Sequence, residues 1–244
     1  MDHQYLYFLV IIAFSIIQSI FGMGLLVFGT PTLLLLGYDF SDVLGLLLPS
    51  SVFISFTQVY SARKNQFAIK EKLNMLICAV AVVAFLSLIL TMRLKINIDI
   101  LIGITLIFSA AIRLSPTFKT GINHILSGNQ RWFVLLMGAV HGLTNMGGAL
   151  LTLYSTSTQV EKVGIRTSVS RYYLMFGLIQ LATLAILRPG ALSLRGAQVA
   201  PLALFIYWAV GNSIFKRASG PFYEKLLTGF IATYAVVVIA KDYI

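Results

Sequence analysis

Two stretches of this chain run uncharged for longer than one membrane helix needs, and the same glycine-centred pattern interrupts both. Gln18-Ser19-Ile20-Phe21-Gly22-Met23-Gly24-Leu25 aligns without a gap on His141-Gly142-Leu143-Thr144-Asn145-Met146-Gly147-Gly148, 123 residues later. As a single helix, the 35 residues from Gln4 to Tyr38 would extend about 52 Å, against a hydrocarbon core of about 30 Å. The segments Gly22-Met23-Gly24 and Asn145-Met146-Gly147-Gly148 are the expected breaks, because glycine accepts backbone angles that end a helix and lets another backbone or a ligand come close. Glycine-interrupted apolar segments in corresponding positions of two halves point to a transporter's binding site.

With 58% hydrophobic and 11% charged residues and a mean hydropathy of +0.89, the chain lies outside the range of soluble globular domains. Further uncharged stretches cover 43–62, 73–92, 100–112, 132–160, 172–187, 197–215 and 226–240, and several approach the roughly 20 residues of a spanning helix. Met1-Asp2-His3-Gln4 lacks the basic start of a cleavable signal peptide, so the first stretch is expected to remain. The single cysteine, Cys78, lies in an apolar run and offers no disulfide framework. Net charge is +10, but Lys and Arg fall in short loops between apolar runs. That is the pattern of membrane orientation, and it argues against a nucleic-acid partner.

Loop charge distinguishes two threadings. If both broken segments cross the membrane, eight spans result and basic residues divide 10 to 7; if both double back, each half has three spans and the division is 12 to 5. The sharper asymmetry favours re-entrant hairpins. The expected fold is therefore an all-α polytopic membrane protein of two homologous halves, residues 1–122 and 123–244, each a Gly-broken hairpin plus three transmembrane helices. Three crossings per half make the halves inverted repeats. Both termini then lie outside the cytoplasm, and the plasma (inner) membrane is the expected location. Residues 115–130, with Pro116, Gly121, Gly128 and Asn129, read as a connector between halves.

A helix that starts at membrane depth presents unpartnered N–H groups and about half a positive charge, which suits an oxyanion. Gly24 and Leu25, and Gly148 and Ala149, begin such second half-helices, with Gly22, Asn145 and Gly147 in the turns. Arg171, immediately before an apolar run, either faces a substrate or snorkels to headgroups. Ser50 and Ser51, and Ser55, Thr57, Gln58, Ser168, Ser170 and Gln180, offer uncharged coordination or ordinary helix hydrogen bonds. His141, one turn before Asn145, is the candidate for proton coupling, since Asp39, Asp42, Asp99, Glu161 and Glu224 read as loop or helix-end residues. His3, His124 and His141 are far apart, so neither a metal site nor an intramembrane enzyme is expected, and no cofactor is implied.

These segments resemble the sulfite exporter TauE/SafE family of membrane transporters. The resemblance rests on Phe21-Gly22-Met23-Gly24 followed by Thr30-Pro31, and on Gly147-Gly148-Ala149-Leu150-Leu151 leading to Tyr154, with Lys162, Arg166 and Thr167 downstream. It implies a secondary transporter that moves a small anion, sulfite, a sulfonate or a related sulfur-containing or organic anion. Arg166 and Thr167 join the candidate anion-binding residues through this pattern. The partners expected are the anion and membrane lipid, and a homodimer is compatible with the chain. The rival reading is an anion channel or an accessory membrane subunit.

Overall fold

The computed structural model describes residues 5–63, 69–92 and 114–240, with isolated positions between 104 and 112. The termini and the basic residues Lys64, Arg93, Lys95, Arg113 and Lys241, on which the expected orientation partly rests, lie outside the described residues, as does His3. The described residues form helices α1 (Leu6–Phe21), α2 (Thr30–Leu35), α3 (Phe40–Ser61), α4 (Ile69–Met92), α5 (Pro116–Thr144), α6 (Gly147–Thr158), α7 (Lys162–Leu187), α8 (Leu194–Ile206), α9 (Asn212–Arg217) and α10 (Gly220–Ala240). A π-helical turn, Leu25–Gly29, leads into α2, and a second, Tyr207–Gly211, joins α8 to α9. No strand occurs among these residues, as a bilayer requires of a chain whose backbone must satisfy its own hydrogen bonds.

Among the described residues, four helices are long and apolar enough to cross a membrane: Phe40–Ser61, Ile69–Met92, Lys162–Leu187 and the continuous Leu194–Arg217. The chain is thus a multi-pass membrane protein. Both long uncharged stretches are broken where the glycines fall. Helix α1 stops at Phe21 with Gly22 left-handed (φ 81°), and α5 stops at Thr144 with Asn145 left-handed (φ 64°).

Residues 115–130 are not an irregular connector. They form the first half of α5, and the expected join at 122/123 falls inside that helix. Pro116 sits in the first turn, where its missing N–H costs nothing, and at Asn129 (φ −130°, ψ 42°) the backbone leaves helical geometry, so that α5 is two helices joined across a kink.

Small residues set the helix crossings, as expected where lipid removes the hydrophobic drive between helices. Gly138 and Gly142 of α5 lie directly against the backbone of α4 at Cys78 and Val82. Gly45 of α3 and Gly196 of α8 meet backbone to backbone. Helices α3 and α7 run antiparallel, since Gln58 meets Ser170 while Val52 meets Gly177.

Candidate functional site

The two breaks are the same local structure at the 123-residue shift. Gly22 donates its N–H to the Gln18 carbonyl at 2.8 Å, and Asn145 donates its own to the His141 carbonyl at 2.8 Å. A Cβ on Gly24 would meet the Gln18 backbone and lie 2.8 Å from the Phe14 carbonyl oxygen; on Gly147 it would meet His141 and lie 2.7 Å from the Met137 carbonyl oxygen. These contacts fall six and ten residues back in both copies. Only glycine lets the second helical piece lie so close to the first.

The copies differ in how that second piece is capped. At the first break Gln18 Oε1 accepts the Leu25 N–H at 3.2 Å, while its Nε2 donates to the Ser51 carbonyl, Ser51 Oγ and Ser55 Oγ at 3.0–3.1 Å. Leu25, expected to offer its amide to an anion, therefore gives it to Gln18. The C-terminal carbonyls of α1 are also occupied. Gln58 Nε2 donates to Gln18 and Ser19 carbonyls at 3.0 Å, and Arg166 Nη1 donates to Ser19 at 3.2 Å and to Asn212 Oδ1 at 3.3 Å. The Arg166 guanidinium lies 3.4 Å over the Phe215 ring. A cation at a helix C-terminus is electrostatically matched, so Arg166 secures the first break, aided by Gly22, which packs on Ser170 and the Arg166 carbonyl. Thr167 bonds back to its own helix at Val163.

At the second break the residue in Gln18's place is His141, and the arrangement opens up. Asn145 Nδ2 donates to Thr30 Oγ1 at 2.7 Å, and Gln180 Nε2 donates to Asn145 Oδ1 at 3.1 Å. Gln180 Oε1 must then accept, at 3.3 Å, from His141 Nε2. This chain of four side chains ties the first break to the second and fixes the imidazole with its hydrogen on Nε2, leaving a lone pair on Nδ1. The ring stacks on Phe176 at 3.8 Å.

Helix α6, which starts at Gly147, receives no hydrogen bond from the side chain of its N-cap, Met146, whose carbonyl accepts the Ala149 N–H at 3.1 Å. Above it stands Tyr173, whose hydroxyl rests on Gly148. Tyr173 Oη and His141 Nδ1 are both buried and have no hydrogen-bond partner among the described residues. A buried hydroxyl left unpaired costs about 1–3 kcal/mol. Ser50 Oγ is likewise buried and unpartnered, on α3.

Arg171 does not join this group. It lies nine residues from Gln180, about two and a half helical turns, and so points from the other side of α7. There it pairs with Glu71 of α4 at 3.8 Å, and Glu71 also accepts from Ser168 at 3.3 Å. Glu71 escapes a reading of the sequence because Lys70 and Lys72 flank it and give it the look of loop charge. Tyr173 escapes for a different reason: an aromatic in an apolar run carries no signal until Gly148 is found beneath it.

The family model described as Sulfite exporter TauE/SafE matches residues 7–239, which include both breaks and every helix named above except the first and last residues of the bundle. No curated protein and no solved structure matches the chain.

Proposed function

Since the chain belongs to the sulfite exporter TauE/SafE family, a family of membrane transporters, we propose that it carries a small sulfur oxyanion, sulfite or a sulfonate, across the plasma membrane by alternating access. The anion is held at the N-terminus of α6, beneath Tyr173 and beside His141. What carries this reading is the conjunction of a 12-residue helix whose N-cap side chain makes no hydrogen bond to its start and a buried hydroxyl donor without a partner at that start. The helix end supplies N–H groups and partial positive charge. Tyr173 supplies a directed O–H donor, and an oxyanion is the acceptor its hydroxyl lacks.

His141 is the proton-coupling group in this scheme. Its neutral Nδ1 accepts a hydrogen from a protonated anion, and once protonated it donates to the bare one, so anion and proton travel together. Gly147, Gly148, Tyr173 and His141 are all buried, which fits an occluded state: access to either side requires the breaks to part, separating Gly148 from Val27. The breaks act as re-entrant tips of inverted halves, 1–122 and 123–244, a reading supported by each second piece lying against its own first piece at Phe14 and Met137. Gly22, Gly24, Leu25, Ser51 and Arg166 hold the first tip in place, and Ser50 is a second polar group on the path. Arg171 and Glu71 lie outside the anion site.

Equilibrium binding of sulfite to the purified protein tests the site. Tyr173→Phe removes one hydrogen bond to a charged ligand and is expected to weaken binding about tenfold. His141→Gln recreates the Gln18 arrangement, capping the Gly148 amide as Leu25 is capped, and is expected to abolish binding in a folded protein. Native affinity in both variants would remove the site from α6.

A further inference from the structure

A cleft of about 800 Å³ opens on the outer side of the bundle between α3, α4 and α7. Its walls are apolar: Phe56 and Val59 from α3, Met75 from α4, and Leu174, Leu178 and Ile179 from α7. Phe56 and Leu178 are 57% and 53% exposed, and in a membrane such exposure is to lipid. The cleft is charged at one end only. Because α3 and α7 are antiparallel, Arg63 at the end of α3 and Arg171, early in α7, come to the same end, while Phe56, Leu178 and Ile179 lie deeper. From Arg171 to Ile179 the wall runs about 12 Å along the helix. Arg63 sits over the Tyr60 ring at 4.4 Å, and Arg171 keeps Glu71 at 3.8 Å. Lys70 and Lys72 stand at the start of α4, next to this end. The two arginines of the cleft and the two lysines that flank Glu71 at the start of α4 thus outnumber the one carboxylate at this end of the apolar trough.

We propose that this cleft binds an anionic phospholipid of the surrounding bilayer, its phosphate at Arg63 and Arg171 and one acyl chain along Met75, Leu174 and Leu178. Charge and shape both select this occupant. The apolar trough matches an alkyl chain that lipid-facing helices meet anyway, and the local excess of positive charge matches a headgroup with net negative charge. Arginine suits the phosphate end, because its planar fork bonds phosphate oxygens in pairs and is desolvated more cheaply than lysine. A zwitterionic lipid would fill the trough but bring its own cation to a site already rich in them.

Native mass spectrometry of the full chain in neutral detergent, with phosphatidylglycerol or phosphatidylcholine added, tests the proposal. Native protein is expected to retain phosphatidylglycerol in preference. Arg63→Gln should lower that retention about fivefold, the factor one basic side chain near an anionic lipid provides. Leu178→Trp, which fills the trough, should remove retention of both lipids, and Arg131→Gln, on α5, should leave it unchanged. Equal retention of the two lipids by the native chain, no lipid retained, or retention indifferent to both Arg63→Gln and Leu178→Trp would overturn the proposal. Sulfite binding need not be measured, so failure here leaves the anion site standing and the reverse also holds.

Discussion

Gly148→Ala is expected to abolish sulfite flux while the protein still reaches the membrane. The added methyl group would occupy the space of the Tyr173 hydroxyl and of a Val27 methyl group. Neither neighbour retreats easily, since both side chains are fully buried. Relief comes only if Tyr173 leaves the start of α6 or if the first break lifts off the second. Overpacking of this kind costs about 1–3 kcal/mol, which a helical bundle survives. Transport suffers more. Losing both the Tyr173 donor and the approach to the helix end removes two charge-assisted bonds, about 3 kcal/mol together, and lowers flux about 100-fold. Val27→Ala in the same chain frees part of the space and should recover part of the flux. Flux within twofold of native in Gly148→Ala would show that the close contact at Gly148 is mere packing.

Gly138→Leu and Gly142→Leu are expected to act on the fold itself. A Cβ on Gly138 would lie 2.5 Å from the Cys78 carbonyl oxygen, and one on Gly142 would lie 2.8 Å from the Val82 carbonyl oxygen and 3.0 Å from the Leu86 nitrogen. These obstacles are backbone atoms of a membrane helix, so they cannot rotate aside. The four-residue spacing of the glycines repeats in the atoms they face, and it lets α5 lie along α4 at backbone distance. A leucine at either position forces the helices apart and costs about 3 kcal/mol or more, a large share of the stability of a domain. The expected readout is loss of monodisperse protein in detergent. Gly121→Leu and Gly128→Leu, where nothing lies within 4 Å of the added atom, should yield protein at native levels. Equal yields for all four variants would contradict the packing account.

The breaks and their pairing are legible in the sequence because backbone constraint leaves a local mark: glycines in an uncharged stretch, repeated at one offset. The capping of the breaks is not. Gln18 and His141 stand in equivalent positions, yet the side chain of one caps the next helix start and that of the other bonds Gln180 instead, a difference that depends on Ser51, Ser55 and Gln180 approaching from other helices. Those contacts span 33 to 39 residues and have no periodicity to betray them. Arg166 and Arg171 look alike in the chain, but five residues of helix turn one towards the first break and the other towards α4. Residues 115–130 mislead for the opposite reason. Their Pro, Gly and Asn speak for a loop, but Pro116 falls in a first helical turn, where it is tolerated, and the break survives only as the kink at Asn129.

The central claim is that an oxyanion is carried at the start of α6, and counterflow measures it most directly. Proteoliposomes loaded with unlabelled sulfite and placed in labelled sulfite should take up label in a saturable manner, faster than unloaded vesicles, and Tyr173→Phe at matched incorporation should slow that uptake about tenfold. Uptake that rises linearly with concentration, or that is the same in the native chain and Tyr173→Phe, would contradict the account.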